Sequence, residues 1–91
     1  MDKLFRFAAV TGDATVVDTK VRSARLPTGY GSVGILANHA PMLCAVSRGV
    51  VLCTLEDGSL LRLRVSEGVA SVGDNELTLL CSDAAIDTAG M

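Results

Sequence analysis

The segment "VVLCTLEDGSLLRLRV", residues 50–65, decides the fold class of this chain. In its second half Leu63 and Val65 fall on one face of an extended strand, and arginines alternate with them on the other face. Between the two apolar runs stands Asp57-Gly58, a pair that tolerates the left-handed backbone of tight hairpin turns. The segment therefore predicts a β-hairpin with one buried face and one solvated face.

The same pattern continues outward along the chain in both directions. Upstream, residues 3–10 read as a strand, and residues 14–26 read as one extended strand or as two strands bent near Asp18. Downstream, the "GDN" of residues 73–75 marks a second hairpin. Turn signals recur roughly every 8–12 residues, as in β-sandwiches and barrels. The chain is therefore predicted to be all-β.

Helical spacing of apolar residues is not sustained in any window of the sequence. The best helical candidate is the tail "SDAAIDTAG", residues 82–90, in which Ser82 or Asp83 would serve as the N-cap. This segment is short and weakly apolar, so it does not change the predicted fold class.

Composition and charge place the chain among small globular domains. Its 91 residues form one domain, and 49% of them are hydrophobic. The net charge is −2 and no basic run occurs, which argues against a nucleic-acid partner. No apolar run reaches the ~18 residues that span a bilayer. The N-terminus would make a poor signal peptide, because its apolar stretch is short and is interrupted by Arg6. The expected location is the cytosol or an organelle interior.

Metal and disulfide chemistry finds little support in the sequence. The three cysteines, Cys44, Cys53 and Cys81, are odd in number, form no C-x-x-C pair and lie in apolar runs, which predicts free thiols packed as small hydrophobes. His39 is the single histidine, and with one cysteine it would still lack a third ligand at a sensible spacing. We expect no metal site.

The glycines of "GYGSVG", residues 29–34, have the G-x-G-x-x-G spacing of a dinucleotide-binding turn. Such a turn must open a helix whose N-terminus holds the pyrophosphate, and Pro41 leaves no room for that helix. A Walker A lysine and a nucleophile elbow are also missing from the sequence. We expect no cofactor and no catalytic residues.

The stretch "GYGSVGILANHAPMLCAVSRGVV", residues 29–51, resembles the signature of the epsilon subunit of F-type ATP synthase, which is the delta subunit in mitochondrial naming. The resemblance covers residues 4 to about 85, and the glycine loop with His-Ala-Pro is its specific part. The family pattern "GxxGxxxxHAPLxxxLxxG" maps onto Gly31, Gly34, His39, Ala40, Pro41, Met42, Val46 and Gly49.

This resemblance implies a flattened antiparallel β-sandwich of two five-stranded sheets, followed in the family by a C-terminal helical hairpin. The sequence ends at Met91, where that hairpin would begin. We therefore expect an epsilon-type sandwich domain over residues 1–87 and a short tail over residues 88–91, lacking the helical hairpin.

The function implied by the resemblance is that of a non-catalytic rotor subunit in the central stalk of F1Fo ATP synthase. It would link the gamma subunit to the c-ring and couple proton or sodium translocation to ATP synthesis. It would be peripheral, held at the cytoplasmic face of the bacterial inner membrane or in an organelle interior through the complex alone. Two alternatives fit the residues less closely: a stand-alone β-sandwich protein-interaction module, and a small enzyme using His39 with an Asp or Cys.

The resemblance also implies two contact regions. The c-ring would contact Gly29, Tyr30, Gly31 and Ser32, and the gamma subunit would contact Thr11, His39, Met42 and Cys44. Relatives often carry an acid where this chain has Ser32, and Pro-Gly where it has Ala37-Asn38; asparagine tolerates the left-handed backbone, so the turn can be kept. Met42 and Cys44 share one strand face, either core or interface, and the resemblance favours interface.

Overall fold

Nine β-strands make up the regular structure in the computed structural model, which describes residues 3–87. Their bounds are β1 Phe5–Val10, β2 Thr15–Thr28, β3 Gly31–Leu36, β4 Met42–Val46, β5 Gly49–Leu55, β6 Leu60–Val65, β7 Gly68–Gly73, β8 Glu76–Cys81 and β9 Ala84–Ile86. No helix occurs within residues 3–87, which confirms the all-β prediction.

The 14-residue strand β2 belongs to two layers, and this organises the fold. Residues 15–21 pair with β1 and complete a first layer in the order β4-β7-β8-β1-β2. Residues 23–28 pair with β3, and the middle of the strand pairs with β5, which builds a second layer in the order β3-β2-β5-β6-β9. The predicted sandwich of two five-stranded sheets is confirmed, with β2 counted in both.

Strand pairing departs from the predictions in two places. All pairs are antiparallel except β1 and β8, which run parallel. The β2 stretch stays one strand, and its irregularity lies beyond Asp18: the register with β5 shifts between Val21 and Ser23. A register shift of this kind bends a strand without ending it, because pairing resumes on either side.

The helical candidate in the tail is not a helix in the residues that the structure describes. Ala84–Ile86 is strand β9, which pairs with β6 in the register Val65↔Ala84 and Leu63↔Ile86. The edge of β6 offers unpaired backbone groups, and Ala84 packs against the core, so tertiary pairing overrides the weak helical preference. Residues 88–91, the predicted short tail, lie outside the described residues.

The core follows the predicted alternation. Leu63 and Val65 are buried while Arg62 and Arg64 are exposed, and the same two-residue period holds along β1, β7 and β8. Both predicted hairpins are present, with φ of 89° at Gly58 and of 50° and 60° at Asp74 and Asn75. Burying apolar side chains at about 25 cal/mol per Å² holds the two layers together.

The cysteines are free thiols that pack as small hydrophobes, as predicted: Cys53 is fully buried, and Cys44 and Cys81 are half-buried against the core. Burial raises the pKa of the Cys53 thiol from its ordinary 9.0 to about 12. The folded state therefore favours the neutral thiol, and this contribution to stability is complete below pH ~9 and is lost as the pH rises to ~12.

We expect a thiol reagent at pH ~8 to label Cys44 and Cys81 in the native chain and to spare Cys53 until the chain unfolds, because only an accessible thiolate reacts. Mass spectrometry of the labelled peptides measures the three sites separately, with Cys44 as the internal control. Labelling of Cys53 at the rate of the other two would contradict its placement in the core.

Candidate protein-interaction surfaces

The β2–β3 hairpin presents the residues predicted to contact a ring of partner subunits. Thr28 pairs with Gly31 across the turn, and the Thr28 Oγ1 accepts a hydrogen bond from Tyr30 N at 3.2 Å and donates one to the Gly31 carbonyl. Gly31 has a φ of 110°, a conformation that other residues rarely adopt. The Tyr30 side chain is fully exposed at the tip. The hairpin is a pinned turn that holds a phenol ring in solvent.

The other glycines of the motif do not require glycine conformations. Gly29 and Gly34 have no left-handed φ, and a Cβ added to either would meet no atom within 4 Å. Strand β3 follows the turn, where a dinucleotide-binding loop would open a helix. The G-x-G-x-x-G spacing therefore marks a hairpin with one required glycine.

Ser32 lies one residue beyond the turn, on the outer face of the second layer. The Arg25 Nη1 donates a hydrogen bond of 3.1 Å to the Ser32 hydroxyl. Because the acceptor is neutral, the charge of the Arg25 guanidinium is not compensated by this contact.

His39 lies in the loop between β3 and β4, which is held by a hydrogen bond to a distant part of the chain. Asn38 has a φ of 62°, which confirms that asparagine keeps the left-handed turn here. The Asn38 backbone N–H donates to the Asn75 Oδ1 at 2.8 Å, and the Asn75 Nδ2 donates to the Leu4 carbonyl at 2.9 Å. The His39 Nδ1 lies 2.8 Å from the Ala40 carbonyl and so carries the proton in this arrangement. One asparagine side chain thus ties the loop to the N-terminal segment.

Thr11 and His39 are not brought together. Thr11 closes the β1–β2 turn through a hydrogen bond from its N–H to the Ala14 carbonyl at 2.9 Å, and it follows Val10, which pairs with Leu80. The loop of His39 is tied to Asn75, next to the other end of β8. Four strand residues separate these ends, about 14 Å. The two residues therefore lie at opposite ends of the first layer.

Met42 and Cys44 lie on the core side of the edge strand β4. They pair with Val72 and Ala70, both buried, and are themselves half-buried against the core. Met42 and Cys44 therefore share the core face, while their contact with a partner remains a prediction. Because strand residues alternate, Leu43 and its neighbour two positions on face outward.

An exposed apolar row on the outer face of the first layer was missed by the sequence analysis. Ala45 pairs with Val69, Val69 with Leu80, and Leu80 with Val10, so four strands contribute one residue each. Val69 is 44% exposed and Leu80 is 55% exposed, and Leu43 nearby is 73% exposed. We call these five residues the apolar patch. The adjacent leucines at 79 and 80 were the available signal, since one of two neighbours on a strand must face outward.

The polar end of the same outer face carries balanced charges. Arg6 makes two hydrogen bonds to the Asp18 carboxylate, at 2.9 and 2.7 Å, and its Nη1 lies 3.5 Å from the Glu76 Oε1. The hydrogen bond from Arg6 is the main cause that lowers the pKa of Asp18. Lys20 lies opposite Arg6, so the two cations Arg6 and Lys20 balance the two anions Asp18 and Glu76. The charged residues that border the apolar patch here therefore have no net charge.

Within residues 3–87, no three His, Cys, Asp or Glu side chains lie close enough together to hold a metal ion. That part of the chain also has no helix long and apolar enough to cross a membrane.

Comparison with known proteins gives one consistent result. Residues 4–87 match the protein family described as "ATP synthase, Delta/Epsilon chain, beta-sandwich domain". The chloroplastic ATP synthase epsilon chains of Vitis vinifera and Piper cenocladum are 40% and 36% identical over 75 residues, covering 82% of this chain and 56% of each relative. The chain thus spans little more than half the length of these curated relatives.

Two solved structures share the fold. A chain of the Euglena gracilis mitochondrial ATP synthase, in a structure of OSCP/F1/c-ring, superposes with a TM-score of 0.85 at 20% identity, covering 91% of this chain and 53% of that one. A chain of the Tetrahymena thermophila mitochondrial ATP synthase central stalk and c-ring gives a TM-score of 0.73 at 13% identity, covering 92% and 67%. At these identities the likeness concerns the fold alone.

Proposed function

This chain belongs to the family of ATP synthase delta/epsilon chain β-sandwich domains, and from that membership we propose that it is a non-catalytic part of the rotor of F1Fo ATP synthase. In this role it lies in the central stalk, binds the gamma subunit and rests on the c-ring, and it couples proton or sodium translocation to ATP synthesis. It requires no cofactor, and it meets the membrane through the complex alone, at the bacterial cytoplasmic face or in an organelle interior.

The apolar patch is the observation that carries the proposal. The outer face of an antiparallel sheet is normally polar where it meets water, and a contiguous exposed apolar area marks a partner surface. Val69 and Leu80 stand side by side in neighbouring strands, with Leu43 beside them. We assign this patch to the gamma subunit, because a permanent partner suits an apolar contact without net charge. Thr11 directly follows Val10 of the patch, and Met42 and Cys44 flank Leu43 in the same edge strand. We keep these three residues and His39 as proposed gamma contacts.

The β2–β3 hairpin is assigned to the polar loops of the c-ring. Tyr30 combines a large apolar ring with a hydroxyl that can hydrogen-bond, a combination that is enriched at protein contacts. The hydrogen bonds of Thr28 and the backbone of Gly31 hold the tip in one conformation, so little conformational entropy is lost on binding. Ser32 contributes a neutral contact there.

A rotor element must transmit torque without deforming, and the shared strand β2 supports this role. Since β2 runs through both layers, a force on the hairpin at its C-terminal end acts directly on the first layer through its N-terminal half. Close packing of the two layers leaves little room for relative movement.

The proposal is tested with the full chain and the gamma subunit of the same enzyme. We expect the two to co-elute on size exclusion at micromolar concentration, and we expect addition of the chain to F1Fo depleted of it to restore ion-coupled ATP synthesis. Loss of the chain from gamma, under conditions in which the remaining F1 subunits assemble, would overturn the assignment. A His39→Ala chain should weaken assembly or coupling without abolishing it, because His39 is a predicted gamma contact and has no assigned catalytic role.

A further inference from the structure

The outer face of the second layer carries a concentration of arginines. Across neighbouring strands, Arg25 pairs with Leu52 and Leu52 pairs with Arg62, so two arginine positions about 10 Å apart flank one apolar residue. Arg64 lies two residues further along β6, opposite Val50, and also faces outward. The face thus alternates cationic and apolar side chains.

Arg48 joins this face through the β4–β5 turn. The Ser47 N–H donates to the Pro27 carbonyl at 2.9 Å, which holds the turn against β2. Arg48 and Arg64 line one open cleft of about 550 Å³, together with Val50, Ser66, Asp83 and Ala84. We call Arg25, Arg48, Arg62 and Arg64 the cationic face.

Positive charge on this face exceeds the acids that accompany it. Asp87, whose side chain is only 8% exposed, is shared between the Arg62 Nε at 3.8 Å and the Arg64 Nη2 at 3.5 Å. Arg25 bonds to a neutral hydroxyl, and within residues 3–87 neither Arg25 nor Arg48 forms an ion pair. Counting Asp83 in the cleft, four cations meet two anions, although the chain as a whole has a net charge of −2.

We propose that the cationic face is a second docking surface, which binds an acidic segment of another protein and takes one of its carboxylates into the cleft between Arg48 and Arg64. Guanidinium groups bind carboxylates in paired hydrogen bonds, and the side chains of Val50 and Leu52 between them offer apolar contact. A phosphate or a lipid headgroup would bind the arginines but would not contact the apolar side chains of Val50 and Leu52. The combination of charged and apolar side chains therefore favours a protein segment.

This surface lies on the opposite layer from the apolar patch, so its partner binds independently of the gamma subunit. The probe is a synthetic peptide of about eight residues in which Glu and Val alternate, so that in an extended conformation its carboxylates all lie on one face. Binding is followed by amide NMR of the full chain. We expect shifts in β5, in β6 and around Arg48, with the dissociation constant rising about ten-fold between ~0.05 M and ~0.3 M salt.

The variants decide the site. Arg48→Gln breaks no ion pair of the described residues, so it should stay folded and weaken peptide binding about five-fold, and adding Arg64→Gln should weaken it further. Lys20→Gln removes the same charge from the other layer and should bind like the parent chain. Equal loss in Lys20→Gln, or no loss in Arg48→Gln, would overturn the proposal. So would anionic phospholipid vesicles or inorganic phosphate that displace the peptide from the cleft.

Discussion

A chain carrying Leu80→Glu is expected to stay folded and to lose at least about 100-fold in affinity for the gamma subunit. Leu80 stands in the middle of the apolar patch, between Val69 and Val10, and is 55% exposed in the free chain. In the complex a carboxylate at this position would be desolvated without a cationic partner, at a cost of about 3 kcal/mol or more. Titration calorimetry with purified gamma measures the loss.

The matched control is Leu60→Glu. Leu60 is 62% exposed, and Leu60→Glu makes the same change in charge and size as Leu80→Glu. Leu60, however, faces outward from the second layer, beside Thr54. We expect this variant to bind gamma as the parent chain does. If Leu60→Glu lost the affinity and Leu80→Glu kept it, the gamma contact would belong on the second layer.

Gly68→Ala is expected to destabilise the chain by about 3 kcal/mol, the upper end of overpacking costs. A Cβ added at Gly68 would lie 2.2 Å from the Leu80 carbonyl oxygen, 2.9 Å from the Cys81 Cβ and 3.1 Å from the Cys81 Cα. Two of these are backbone atoms of β8, which pairs with β7 at this position. The clash can therefore be removed only by breaking the pairing of the two strands. Urea unfolding gives the free energy of unfolding for comparison.

The other end of the same strand provides the control. Gly73 has no left-handed φ, and a Cβ there would meet no atom within 4 Å, so Gly73→Ala should change the free energy of unfolding by no more than about 0.5 kcal/mol. A Gly68→Ala chain as stable as Gly73→Ala would mean that β7 and β8 are further apart than the structure has them.

The parts of the fold that sequence reasoning predicted are those with a local cause. The β5–β6 hairpin was predicted because Asp57-Gly58 suits a tight turn and its flanking strand alternates, and Gly58 indeed has a φ of 89°. The turn before His39 was predicted to be kept by Asn38 for the same kind of reason, and its φ of 62° confirms it. Turn chemistry acts within a few residues, so it is legible in the sequence.

The tail shows what local reasoning misses. The segment that begins at Ser82 has a weak helical preference, yet Ala84–Ile86 is a strand because β6 presents a free edge beside it. The parallel pairing of β1 with β8 joins residues that lie much further apart in the sequence, Arg6 and Glu76. Neither pairing has a local signal, because its hydrogen bonds come from residues far along the chain.

The sequence by itself determined that the chain is all-β, where its hairpins turn, and which residues of a strand share a face. In β4, where no charged residue marks the solvent side, only the tertiary structure decided which face looks inward: Met42 and Cys44 lie on the core side, and Leu43 lies outside. It also assembled the apolar patch from four strands and the cationic face from two hairpins and a turn. Alternation has a period of two and leaves the choice of side open, and that choice is made by the register of partner strands, which depends on hydrogen bonds and packing between distant segments.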